Sequence, residues 1–235
     1  MNAKASSAVN LRTPSQKLVS INGAELHYFE WPGAGAPILM AHGTGFHARC
    51  WDAVVSLLGD ARVIAVEHRG HGRSSKTPPY DWGTLGADMA GVVEALDLRE
   101  VTGVGHSLGA HVMIQAAFAH TERFRNLLAI DPILCAPEDY ARAKPFAGVH
   151  PASKRRNVWA SPDAMYDSFK VRVPFSRWKP SVFGIIAIMG CGPPQPLVKQ
   201  GMISVWRVQR RSKRRCIAAP GKATSQTKPL RLIYP

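Results

Sequence analysis

Histidine and acidic residues both give out well before the sequence ends. No His follows His150 and no Asp or Glu follows Asp167 in a chain of 235 residues. Cysteine is scarce as well: Cys50, Cys135, Cys191 and Cys216 stand far apart with no CxxC pair. That spacing argues against a zinc site and a disulfide framework, and it suits a reducing, cytoplasmic setting. No apolar run approaches the roughly 18 residues of a membrane-crossing helix; the best, Val182–Cys191, is about half that long. The opening MNAKASSAVNLRTPSQ lacks the apolar centre of a secretory signal, so none is expected. There is no internal repeat and no low-complexity segment.

What remains is a globular composition, 46% hydrophobic and 20% charged, too apolar for a disordered chain. The formal net charge of +14 is unevenly placed. Residues 1–167 hold 16 Lys+Arg and 16 Asp+Glu, whereas residues 168–235 hold 14 Lys+Arg and no acid. An ordinary segment of that length would carry roughly eight acids. Residues 191–235 therefore read as a basic, poorly ordered tail, unable to bury enough surface to offset chain entropy. Its cluster Arg207–Arg215 offers at most non-specific contact with polyanions. With only Tyr234 after Trp206 there is no aromatic platform for bases, so no specific nucleic-acid partner is expected.

The apolar pattern before that point is orderly. Leu18–Ser20 and Ala24–Phe29 flank a turn with Asn22-Gly23 at its tip, a hairpin signature. Pro37–Ala41, Arg62–Val66, Val101–Val104 and Leu127–Ile130 are short apolar runs of the kind buried on both faces. Helical spacing places Trp51, Val54, Val55 and Leu58 on one face, and Leu85, Met89, Val92, Val93 and Leu96 on another. Leu108–His120, rich in small and apolar residues, suits a helix lying close on a sheet. Strands alternating with helices predict an α/β fold, a doubly wound and mostly parallel sheet.

One motif carries chemistry. Gly105-His106-Ser107-Leu108-Gly109 falls between an expected strand and an expected helix. In that context G-x-S-x-G reads as a nucleophile elbow, with the Ser107 hydroxyl lifted clear of the sheet at a helix N-terminus. The plainer alternative is a serine that caps a helix after a glycine turn.

The chain resembles the α/β-hydrolase superfamily over about residues 15–190. His42-Gly43 after the third strand resembles the oxyanion loop, which implies that the Thr44 and Leu108 N–H groups bind the oxyanion. The same loop implies substrate contacts from His42, Gly43, Gly45, Phe46 and His106. Glu67-His-Arg-Gly-His-Gly-Arg-Ser74 resembles the family's D-x-R-G-H-G-x-S turn, with Glu for Asp. Ala129-Ile-Asp-Pro132 resembles the end of the sixth strand, before the lid insertion. The expected organisation is a flexible N-terminal tail (1–13), a hydrolase core (14–135), a helical cap (136–190) and the basic tail. The sheet is expected to be truncated after its sixth strand.

The resemblance implies a serine hydrolase acting on carboxylic esters or related small apolar substrates. Its nucleophile would be Ser107, and it would need neither cofactor nor metal. His68 and His71 lack the acidic or thiol neighbours of a metal site, and His111 and His120 read as satisfied helix residues. The aromatics Phe146, Trp159, Phe169, Phe175 and Trp178 read either as an apolar substrate wall or as cap core. The family's later triad members have no counterpart: neither an acid nor a histidine follows the cap region. Asp131 is either an acid supplied from the sixth strand or an Asp-Pro turn closing it. A non-catalytic, ligand-binding or frame-shifted relative is the alternative reading.

Overall fold

A computed structural model describes residues 11–134, 156, 159–190 and 231–233. The expected N-terminal tail up to residue 10, much of the cap and the Arg207–Arg215 cluster lie outside the described residues.

Seven strands form one sheet in the order β1-β2-β4-β3-β5-β6-β7. The hairpin β1 (Ser15–Ile21) and β2 (Ala24–Trp31) turns on Asn22 and Gly23, both at positive φ, as a two-residue hairpin turn requires. β2 is antiparallel to β4 (Ala61–Val66). From there β4, β3 (Ala34–Ala41), β5 (Val101–His106) and β6 (Phe124–Ile130) are parallel neighbours.

The sheet is covered on both faces. Leu39, Ala41, Ile64 and Val66 join Leu85, Met89, Val92, Val112 and Met113 in one core. The intervening Met40, Val63 and Ala65 join Trp51 and Val55 in another. This is the two-residue alternation of strands packed on both sides. The first core is built on α2 (Trp82–Ala95), capped by the Asp81 carboxylate accepting from the Thr84 N–H, and on α3 (Leu108–Ala119).

Two expectations need correction. The helix expected over residues 48–58 is only a tight turn (Ala48–Trp51) and one short α1 (Asp52–Val55). Val54 consequently faces solvent while Trp51 and Val55 are buried. The sheet also does not stop at six strands: β7 (Arg231–Ile233), from the expected tail, pairs in parallel with Asn126–Leu128 of β6.

Within the segment expected to form a cap, the described residues include α4 (Pro162–Phe169) and α5 (Pro180–Gly190). Phe183, Ile186 and Ala187 form the buried stripe of α5, which packs against the Ala48–Trp51 turn.

Candidate active site

β5 ends at His106 and α3 begins at Leu108, so one residue makes the turn. Ser107 adopts φ 54° and ψ −115°, a conformation costing a residue with a side chain about 1–3 kcal/mol. Its surroundings hold it there: its N–H donates to the Ile130 carbonyl at 3.0 Å, and its carbonyl accepts from His111 N–H at 3.1 Å. The motif glycines supply room. A Cβ on Gly105 would lie 2.4 Å from the Gly109 oxygen, and one on Gly109 would lie 2.1 Å from the Ala41 oxygen. The helix thus rests directly on β3 and β5. An ordinary N-cap serine accepts from an amide two or three residues on, but the Ser107 side chain makes no capping bond. The helix-cap alternative fails.

Neighbouring strands bring the other expected residues to the same sheet end. Ala41 is opposite Gly105 and Ile130 is opposite His106. The His42–Phe46 loop therefore leaves the sheet on one side of Ser107, and Asp131 on the other. Phe46 N–H donates to the Gly43 carbonyl at 3.2 Å, and Gly45 at φ 80° completes the bend. The His106 ring lies against Gly43, where a Cβ would come 2.9 Å from Nδ1. Leu108 opens α3, and the first N–H groups of a helix have no partner within it. Asp131 is exposed and, like Ser107, holds a positive φ, 45°.

His42 behaves differently from the expectation that it contacts substrate. It is fully buried. Its Nδ1 lies 2.9 Å from the Gly43 carbonyl, which can only accept, so that nitrogen carries the proton. Its Nε2 then accepts from the His68 N–H at 3.3 Å, and His68 Nε2 donates to the His42 carbonyl at 2.9 Å. With both ring nitrogens bonded to backbone, His42 braces the loops after β3 and β4. His71 lies 5.2 Å from the His42 ring and 6.0 Å from that of His68. Burial pushes all three below the usual histidine range, His68 to about 3 and His71 to about 4.

The turn after β4 is held from both ends. The buried Glu67 carboxylate accepts from Arg73 N–H at 2.5 Å. A Cβ on Gly72, at φ 50°, would meet that carboxyl at 2.2 Å, so the longer acid fits only beside glycine. Arg69 donates twice to Asp88 of α2 at 2.8 Å, and once to the Asn22 carbonyl at 3.1 Å.

His111 is satisfied on its helix: Nδ1 bonds the Ile133 carbonyl at 2.9 Å. The cap aromatics pack chiefly on one another. Phe175 meets Phe169 at 5.1 Å, Phe183 at 5.3 Å and Trp178 at 5.5 Å, and Trp159 meets Phe169 at 5.6 Å. Phe46 joins them, stacked on Trp178 at 5.7 Å. These residues form one aromatic cluster, half-buried except for the buried Phe183; Phe146 lies outside the described residues. The pairing of Arg69 with Asp88 and the contact of His47 with the cap had no signal in the sequence pattern.

The profile of the alpha/beta hydrolase family matches residues 38–219, running past the expected departure near residue 190. A non-heme chloroperoxidase, CPO-A1, from Kitasatospora aureofaciens is 30% identical over 176 residues, which are 71% of this chain and 58% of that protein. N-formylmaleamate deformylase from Pseudomonas putida is 35% identical over 124 residues, 51% of this chain and 46% of that protein. This chain therefore spans about half the length of these relatives. Among solved structures, E-2-(acetamidomethylene)succinate hydrolase superposes with a TM-score of 0.58 at 25% identity, over 74% of this chain and 63% of that one.

Proposed function

The chain belongs to the alpha/beta hydrolase family, and from that premise we propose that Ser107 is the nucleophile of a hydrolase acting on carboxylic esters or related small apolar substrates. The observation that carries this reading is the Ser107 turn itself. A residue held at φ 54° with its hydroxyl withheld from capping has been given up by the fold for another use. The hydroxyl attacks the substrate carbonyl carbon, and the carbonyl oxygen takes up negative charge. The N–H groups of Thr44 and Leu108 receive that charge, helped by the positive end of α3. Gly43, Gly45, Phe46 and His106 border the substrate, and Asp131 is the acid closest in register to Ser107.

A serine hydroxyl must pass its proton to a base. Within these 235 residues the last histidine is His150, which lies outside the described residues. Among the described residues His42, in the loop beside Ser107, has both ring nitrogens bonded to backbone, which is the ground for a second reading in which this chain binds a small apolar ligand without hydrolysing it.

A fluorophosphonate probe separates the two. We expect stoichiometric modification at Ser107, lost in Ser107→Ala, together with p-nitrophenyl acetate turnover far below the common enzymatic range of about 1–1000 per second. No modification of the wild-type chain would leave only the binding reading. Turnover within that range, abolished in Ser107→Ala, would establish an intact base.

A further inference from the structure

Two consecutive residues of the oxyanion loop grip the cap. Phe46 stacks on Trp178 with 15° between the rings, and also meets Phe175 at 6.5 Å. His47 Nε2 lies 3.1 Å from the carbonyl of Ile186, a residue 139 positions away in α5. A carbonyl only accepts, so Nε2 carries the proton and donates. Nδ1 is then a bare acceptor, buried and without a partner among the described residues. Desolvation holds the ring neutral, lowering its pKa to about 4; the Ile186 bond opposes that shift, and Arg73 and Arg49 reinforce it.

A buried imidazole with one unsatisfied nitrogen is a costly choice for an apolar seam between Ala48, Trp51, Phe183 and Ile186. Leucine would pack there without an orphaned acceptor. What leucine could not do is bond the helix.

We propose that His47 is a positioning residue: by bonding α5 it fixes the backbone of residues 43–47, and with it the Thr44 N–H, relative to Ser107. This rests on Ser107 being the nucleophile. The route is short. Phe46 N–H closes a turn onto the Gly43 carbonyl at 3.2 Å, so a displacement at His47 carries through that turn to Thr44. The other end of the loop is pinned by His42 and the His106 ring. Loss of the α5 bond therefore loosens only the stretch that presents the oxyanion donor. It also couples cap to chemistry, because whatever moves α5 moves that donor.

The test compares His47→Leu, which keeps the burial and removes the donor, with His47→Gln, whose amide N–H can reach the place of Nε2. Amide exchange is followed at residues 43–47 and 181–189, beside the rate of fluorophosphonate modification of Ser107. We expect His47→Leu to raise exchange in both segments together and to slow modification about ten- to a hundredfold, and His47→Gln to restore both. The proposal is overturned if His47→Leu leaves exchange at 43–47 unchanged, or if His47→Gln behaves as His47→Leu does. Absence of wild-type modification would overturn the nucleophile reading instead, and the exchange comparison would still decide whether His47 holds the loop.

Discussion

Replacing Gly109 by alanine is expected to destabilise the protein by about 3 kcal/mol or more and to abolish modification of Ser107 by a fluorophosphonate. A Cβ at this position would stand 2.1 Å from the Ala41 oxygen, 2.4 Å from the Ala41 carbonyl carbon and 2.7 Å from the His42 oxygen. All three are backbone atoms of β3 and the start of the loop that follows it, so no side chain can rotate away. Either α3 must lift off the sheet or β3 must shift, and both movements separate Ser107 from Thr44. Overpacking of a well-packed core typically costs about 1–3 kcal/mol, and more where backbone must move. The gain in helix propensity from Gly to Ala, about 1 kcal/mol, is too small to offset it. Gly184 in α5 is the control. Nothing among the described residues lies within 4 Å of a Cβ there, and alanine should be neutral or slightly stabilising. Urea unfolding of both variants measures the difference; a Gly109→Ala protein as stable as wild type would show that α3 does not rest on β3 as described.

Acid should unfold the protein between about pH 6 and pH 4, starting above the range in which ordinary carboxylates titrate. His47, His68 and His71 are buried and neutral, with folded values of about 4, 3 and 4 against an ordinary 6.5, chiefly because burial penalises the charged ring. A group whose folded pKa is depressed binds fewer protons folded than unfolded. Stability is therefore complete above the unfolded value of 6.5 and is lost as pH falls towards the folded value. At pH 5 each of the three costs about 2 kcal/mol, together about 6 kcal/mol, against a typical total of about 5–15 kcal/mol. His42 acts in the same direction. Asp52, raised by burial despite its Arg49 partner, opposes them. Near-ultraviolet circular dichroism against pH follows the transition. In His71→Asn, whose amide can keep the bond to the Arg69 carbonyl made by Nδ1 at 3.2 Å, the midpoint should move to lower pH. Stability unchanged from pH 7 to pH 5 would mean that these rings are hydrated in the folded protein.

The features legible in the sequence are those set by residues close together in the chain. Two-residue alternation in Pro37–Ala41 and Arg62–Val66 sorts side chains onto two faces whatever lies beyond, and both segments are strands. Asn22-Gly23 accepts the positive φ values that a tight hairpin demands. The spacing of Gly105, Ser107 and Gly109 makes the elbow local as well, since strand end, turn and helix start occupy five consecutive residues. Tertiary structure decided the remainder. Val54 has the spacing of a buried residue, yet the helix ends at Val55 and leaves it in solvent. His42 stands where the sequence suggests a substrate contact, yet its ring faces backbone, because His68, 26 residues away, arrives in the loop after β4. His47 meets Ile186 across 139 residues, and β7 reaches β6 from the far end of the chain. Such contacts leave no periodicity to read: the energy that fixes them comes from two surfaces brought together by the sheet, and neither surface is written in its own segment alone.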